Sequence, residues 1–324
     1  MSGARWVVFA YHTFGARALQ GLLARGENIA AVVTHADDPA EGDWFESVAD
    51  VARSAGIPVL APPSPGLAEV AATLGPLEAD LFLSVWYRRL LGPDLLRLPR
   101  IAALNLHGSL LPAYRGRAPV NWVLVNGERR TGVTLHHMIA EADAGDIVAQ
   151  VPIGIGPEDT ALTLYQRVVK EGVDLFLEWY PAVLAGTAPR IPQDPARVSR
   201  WPRRVPEDGR VEWGWPAERI ANMIRAVTHP YPGAFVADGP RRLFLWAGSE
   251  VRGFAGPLPG TAPGTLLDVR RGEGIVVMAG KGALLVRRVQ EAGGQEEPAD
   301  EWARRRGLGP GAALDAAPGE EPRA

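Results

Sequence analysis

Ile101-Ala102-Ala103-Leu104-Asn105-Leu106-His107-Gly108-Ser109-Leu110-Leu111-Pro112 is a short apolar run that stops abruptly in glycine, serine and proline. Residues 101–106 have the length and apolar continuity of a buried strand. Two positions apart, Asn105 and His107 project from one face of such a strand. Gly108 and Ser109, then Pro112 and Pro119, break regular structure, which places the pair at a strand's carboxyl end. Open α/β sheets bind ligands there.

The chain on either side supports this reading. Residues 6–10, 29–34, 57–60 and 81–85 are further short apolar runs, separated by helical spacing over 16–24, 48–54 and 67–74. Five strands alternating with helices predict an α/β fold with a doubly wound, mostly parallel, Rossmann-like sheet. The loop after the first run, Tyr11-His12-Thr13-Phe14-Gly15, lacks the Gly-x-Gly-x-x-Gly fingerprint, which argues against a dinucleotide. Residues 132–138 and 146–155 read as strands, and 162–184 as a helix that closes a first domain over 1–190.

Between 191 and 208 the composition shifts to proline and arginine, with Arg197, Arg200, Arg203 and Arg204 close together, and predicts a linker. Residues 216–227 then carry Ile220, Met223, Ile224 and Val227 on one helical face. Short runs at 235–236, 243–246, 264–269, 274–278 and 283–289, separated by glycine and proline, suit a small barrel over 209–292. Residues 293–324 are expected to form a polar, partly disordered tail with one helix at 299–306.

Composition narrows the function. The 324 residues allow about two domains. There is no cysteine, which removes disulfides, thiolate nucleophiles and cysteine-ligated metals. A net charge of −3 leaves no global footprint for nucleic acid. Residues 6–10 are too few for a signal peptide core or a membrane span, so a soluble cytoplasmic protein is expected.

Beyond the strand, Glu141-Ala142-Asp143-Ala144-Gly145-Asp146 supplies carboxylates. An amide that donates to an oxygen gaining charge and an imidazole that titrates near neutrality suggest acyl transfer to an amine. A carboxylate folded back beside that imidazole would raise its pKa. Ser109 has no Gly-x-Ser-x-Gly context and reads as a structural hydroxyl. Tyr11 and His12 read equally as a packed loop or as part of an acceptor pocket. Arg203 and Arg204 read as a solvated connector or as a diphosphate clamp.

Residues 105–150, NLHGSLLPAYRGRAPVNWVLVNGERRTGVTLHHMIAEADAGDIVAQ, resemble the catalytic core of the formyltransferases that use 10-formyltetrahydrofolate. Within that superfamily the resemblance is strongest to the branch that formylates UDP-4-amino-4-deoxy-L-arabinose for lipid A modification. It extends to Val7-Val8-Phe9-Ala10-Tyr11-His12, to Asn121-Trp122-Val123-Leu124-Val125-Asn126-Gly127 and to Pro230-Tyr231-Pro232-Gly233-Ala234-Phe235. It implies Asn105 as transition-state stabiliser, His107 as catalytic histidine and Asp143 as the aspartate that raises the histidine pKa. It implies folate contacts at Arg89, Leu90 and Leu91, at Arg117, and along Ile139, Ala140, Glu141 and Ala142. Arg89 stands where the family is expected to have histidine. The resemblance further implies an OB-like second domain, no metal, and a nucleotide-sugar amine as acceptor, with no nucleic acid or membrane partner and homo-oligomer formation left open. Members of that branch continue into a decarboxylase domain, whereas this chain runs into its polar tail, so either the decarboxylase is expected as a separate protein or the acceptor is another amino sugar. The alternatives are a dTDP-amino sugar, hydroxyornithine or methionyl-tRNA as acceptor, and hydrolysis of formyltetrahydrofolate.

Overall fold

The computed structural model describes residues 3–37, 44–62, 67–238, 241–254 and 260–314. The chain divides into two compact units, and they are not simple halves. One comprises Met1–Pro119, Arg129–Ile155 and Tyr165–Pro202; the other comprises Val120–Glu128, Gly156–Leu164 and Arg203–Ala324.

The first unit opens with β1 (Arg5–Ala10), α1 (His12–Ala24), β2 (Asn28–Val33), α2 (Val48–Ser54) and β3 (Val59–Leu60). Then come α3 (Leu67–Leu74), β4 (Leu81–Val85), α4 (Pro93–Leu96), β5 (Ala102–His107) and β6 (Arg115–Gly116). The chain then passes through α5 (Pro119–Val125), which from Val120 on is counted in the second unit. It adds β7 (Arg130–His137), β8 (Ile147–Gly154), α6 (Ala161–Leu184), whose first turn also belongs to the second unit, and β9 (Arg200–Trp201). The main sheet runs β3-β2-β1-β4-β5-β7-β8. Its first five strands are parallel, and β7 and β8 each run antiparallel to the neighbour before them.

Residues Trp6 to Ala10 and every residue of β4 are buried, because helices cover both faces of the sheet and both alternating sets of side chains must be apolar. Val7, Phe9, Val33, Phe82 and Leu95 form one core with Val70 and Leu74 of α3. On the other face Trp6 meets Phe176 and Tyr180 of α6 edge-on, at 5.9 and 5.4 Å between ring centres. Each such aromatic contributes about 1.5–3 kcal/mol by burial.

The second unit contains α7 (Ala217–Val227), β10 (Ala234–Asp238), β11 (Arg241–Glu250), β12 (Leu266–Arg270) and β13 (Gly274–Met278). β14 (Ala283–Glu291), β15 (Glu296–Pro298) and α8 (Ala299–Arg305) complete it. It is an antiparallel sheet in the order β10-β11-β14-β13-β12, with β15 on β14. The stripe Ile220, Met223, Ile224 and Val227 is the buried face of α7, which packs on β11 and β14.

Two regions depart from the sequence-based expectation. In the expected polar tail the helix expected at 299–306 is present as α8, and the residues on either side of it, 296–298 and 307–314, are folded as well. Trp302 of α8 is 1% exposed and donates from Nε1 to Glu291 Oε1 at 2.8 Å. Beyond α8, Gly311 N–H donates to the Leu266 carbonyl and Leu266 N–H to the Ala312 carbonyl, each at 2.8 Å, and Leu314 N–H donates to the Gly264 carbonyl at 3.0 Å. Composition averaged over this stretch hid two buried apolar anchors, Trp302 and Leu314. Residues 315–324 of the expected tail lie outside the described residues.

The expected linker is likewise built into structure. Ile191 exchanges two backbone bonds with Ile147, at 2.8 and 3.0 Å, and β9 pairs in parallel with β6. Prolines and arginines signalled a solvated connector, but the backbone between them finds partners. Among the described residues no helix is long and apolar enough to cross a membrane.

Candidate active site

The site begins with strand register. Asn105 pairs with His136 and His107 with Thr134 across the antiparallel β5–β7 ladder. Because side chains alternate, these four residues share one face, and directly opposed pairs are close enough to bond. Asn105 Nδ2 lies 3.0 Å from His136 Nε2. The other ring nitrogen, His136 Nδ1, lies 2.8 Å from the carbonyl of His137. A carbonyl only accepts, so Nδ1 carries the proton and Nε2 accepts from the Asn105 amide. The network therefore sets both the histidine tautomer and the orientation of the amide.

Burial holds His136 neutral, pushing its pKa down to about 4 against the opposing pull of the Asp143 carboxylate. His107 is buried beside it, with Nε2 donating to the Tyr114 carbonyl at 2.8 Å. Nδ1 of His107 faces Asp143 Oδ1 at 3.5 Å. Asp143 Oδ1 is also 3.8 Å from His136 Nε2, and Oδ2 accepts from the Gly116 N–H at 2.8 Å. Burial alone would raise the Asp143 pKa. His107, the Gly116 N–H, His136 and Arg115 together outweigh it and hold the carboxyl below the ordinary range. Asp146 turns elsewhere: it pairs with Arg190 at 3.3 Å.

The turn that returns Asp143 to the strands has strict backbone demands. Asp143 itself is left-handed, with φ of 55°. Two residues on, a Cβ at Gly145 would collide with the carbonyl of His137. Gly116 has φ of 104°, and a Cβ there would collide with the Trp201 carbonyl that β9 brings alongside. Ser109 is structural, as expected: its buried hydroxyl donates to the Ala113 carbonyl at 2.7 Å. Thr134 pins the same loop, donating to the Ser109 carbonyl at 2.7 Å and accepting from the Leu111 N–H at 3.0 Å.

A family described as formyl transferase matches residues 4–180, and its C-terminal domain matches residues 204–307. The chain belongs to the formyl transferase family. Its structure resembles WlaRD, a sugar 3N-formyl transferase solved with dTDP and 5-N-formyl-THF, at 18% identity and a TM-score of 0.68, over 87% of this chain and 97% of that one. It resembles the N-formyltransferase of Helicobacter canadensis, solved with folinic acid and dTDP-3-aminofucose, at 19% identity and 0.68, over 88% and 98%. HypX of Aquifex aeolicus, solved with tetrahydrofolic acid, aligns at 18% identity and 0.63, over 94% of this chain and 47% of HypX, so this chain spans about half of that protein. At these identities the likeness is one of fold.

In this formyl transferase the remaining residues singled out from sequence have distinct fates. Arg117 Nη2 donates to the carbonyl of Arg88, which ties Arg117 to the segment that holds Arg89, Leu90 and Leu91. Arg89 sends Nη1 to the Pro62 carbonyl at 3.0 Å. Leu91 is a core residue, so it offers a ligand only backbone, whereas Leu90 is 66% exposed. Ile139, Ala140 and Glu141 are exposed, and Ala142 is half-buried. Glu141 Oε1 meets Arg115 Nη1 at 3.2 Å and also pairs with Arg200. Burial, then the nearby Arg200, lowers the Arg115 pKa, with Glu141 and Asp143 opposing.

Tyr11 and His12 are buried in a ring cluster, with His12 stacked on Phe45 at 3.9 Å and Tyr11 edge-on to His35 at 5.3 Å. In the second unit Arg204 lies 4.5 Å over the Trp122 ring and donates to the Asp208 carbonyl at 2.9 Å, while Arg203 is exposed. His136, Thr134, Arg115 and Gln193 were not singled out from sequence. The available signal for the first two was polar residues at alternate positions, 134 and 136, of an otherwise apolar strand.

Proposed function

We propose that this formyl transferase moves a formyl group from 10-formyltetrahydrofolate to the amine of a nucleotide-linked amino sugar, with UDP-4-amino-4-deoxy-L-arabinose as the favoured acceptor. The observation that carries the reading is the convergence of Asn105, through His136, with His107 and Asp143 at the carboxyl end of β5, which fits the resemblance to the folate-dependent formyltransferases. When bound, the folate supplies the formyl group and a nitrogen leaving group. Asn105 has two amide hydrogens; His136 takes one, and the other serves the formyl oxygen as it gains charge. The acceptor amine gives up a proton and the folate nitrogen takes one up, and His107, steadied by Asp143, moves it. No covalent enzyme intermediate is needed.

The fit to folate rests on Arg117, on the exposed Leu90, on the backbone of Arg89 and Leu91, and on the loop of Ile139, Ala140, Glu141 and Ala142. Such an apolar pair of loop residues, Leu90 and the 49% exposed Ile139, suits a planar heterocycle. For the acceptor, we assign the nucleotide diphosphate to Arg203 and give Arg204 a structural role, since its guanidinium lies over the Trp122 ring and its Nη2 donates to the Asp208 carbonyl. Tyr11 and His12 support the wall of the site through their packed rings. A nucleotide-linked amine agrees with the dTDP ligands of WlaRD and the Helicobacter canadensis enzyme.

The test is a panel of acceptors offered with 10-formyltetrahydrofolate: UDP-4-amino-4-deoxy-L-arabinose, dTDP-3- and dTDP-4-amino sugars, N-hydroxyornithine and methionyl-tRNA. The highest kcat/KM belongs to the UDP sugar on this reading. Preference for tRNA or hydroxyornithine contradicts the nucleotide-sugar class, and preference for a dTDP sugar contradicts only the base and sugar.

A further inference from the structure

We propose that Gln193 is a positioning residue for the Asp143 carboxylate, so that the segment expected to be a linker is part of the active site. This rests on the proposed role of Asp143 in formyl transfer. Gln193 Nε2 donates to two carbonyls of the Asp143 turn, those of Asp143 and Gly145, each at 2.8 Å. Its Oε1 accepts from Arg115 Nη2 at 2.7 Å and Nε at 3.1 Å. Both hydrogens and the oxygen of the carboxamide are therefore engaged.

The two carbonyls bracket the left-handed turn on which Asp143 depends. A non-glycine residue in that region is strained and persists only where its surroundings fix it. With the Asp143 carbonyl pinned on one side, the carboxylate is presented to His107 of β5, His136 of β7 and the Gly116 N–H. The same segment also grips the other side of the contact. β9 pairs Arg200 with Arg115 and Trp201 with Gly116, which sets the position of the N–H that Asp143 Oδ2 accepts. Arg115 closes the circuit by reaching Glu141 Oε1. Only a side chain that donates twice and accepts at that length serves both partners. Glutamate keeps the Arg115 contact and loses both donors; leucine loses everything but volume.

The experiment measures turnover of 10-formyltetrahydrofolate for wild type, Gln193→Leu, Gln193→Glu, Asp143→Asn and the Asp143→Asn/Gln193→Leu double variant. The readout is transfer to the acceptor that the panel selects, or, should none serve, formate release to water. Both Gln193 variants are expected to lose about ten- to a hundredfold in kcat, the scale of a displacement of about 1 Å at a reacting centre. Acceptor KM and folinic acid affinity stay unchanged. In the double variant the Gln193 change adds nothing to the Asp143→Asn loss, because a residue acting through Asp143 has no other route.

Additive losses, wild-type kcat in folded Gln193→Leu, or full turnover in Gln193→Glu overturns the proposal. If Gln193→Leu fails to fold, Gln193→Glu, which retains the Arg115 pairing, carries the test. Wild-type turnover in Asp143→Asn overturns both this proposal and the role assigned to Asp143.

Discussion

The β5–β7 strand pair and the 139–146 turn meet at the same few atoms, yet they are held by different physics. Asn105, His107, Thr134 and His136 share a face because an antiparallel ladder leaves them no alternative, and a one-residue slip of either strand would send its pair to the other side. Asp143 reaches them from a turn whose shape depends on two glycines, a left-handed aspartate and side chains from a distant segment. The strand half is fixed by many backbone bonds. The turn half is fixed by a few side-chain bonds, each of which one substitution removes.

The largest effect falls on the strand half. Asn105→Ala is expected to lower kcat by about a hundred- to a thousandfold, the usual loss with one oxyanion donor. Folate affinity stays near wild type, as an equilibrium titration with folinic acid will show. A collapse of affinity without loss of turnover makes Asn105 a binding residue instead.

Truncation after Leu308 asks how far the folded part extends. Removing the segment deletes the backbone bonds of Gly311, Ala312 and Leu314 and exposes the edge that Leu314 covers. At about 1 kcal/mol per bond and about 2 kcal/mol for the leucine, the melting temperature should fall by several degrees. An unchanged melting temperature returns the segment to the status of a tail.

His136 predicts an acid limb in stability. Its folded pKa of about 4 lies below the ordinary imidazole value of 6.5, so between those values the unfolded chain binds a proton that the folded chain does not. Stability is therefore complete above that window and is lost as pH falls through it, by at most about 1.4 kcal/mol per pH unit. Asp143, held below the ordinary carboxyl range, acts in the same direction at lower pH. Urea midpoints against pH should slope less in His136→Gln; identical slopes place the acid sensitivity elsewhere.

The smallest expected effect is at Arg203. Arg203→Gln should raise the acceptor KM about tenfold, the worth of a charge-assisted bond, and leave folate affinity alone. Steady-state kinetics at saturating folate decide it. No change leaves the exposed guanidinium without a ligand role.

The same contrast explains what was legible in the sequence. Asn105 and His107 could be read because spacing of two on a short apolar run has one geometric meaning. The doubly wound core could be read because strands covered on both faces are continuously apolar. His136 escaped because its opposition to Asn105 is a matter of register between distant strands, which the strand's own residues do not encode. Gln193 escaped because its neighbours are prolines and arginines, and the bonds that hold it are to backbone carbonyls of another segment. Residues 307–314, beyond the expected helix, escaped because Leu314 is isolated in a polar stretch, where periodicity has nothing to count.

The most direct test of formyl transfer by this trio follows a carbon-13 label from the formyl group of 10-formyltetrahydrofolate by NMR. Wild type, His107→Ala and Asp143→Asn are each supplied with UDP-4-amino-4-deoxy-L-arabinose. The account predicts a labelled formamide on the sugar with wild type, and strongly slowed formation with both variants at unchanged folate binding. Labelled formate in place of the formamide, or formamide at the wild-type rate in Asp143→Asn, would contradict it.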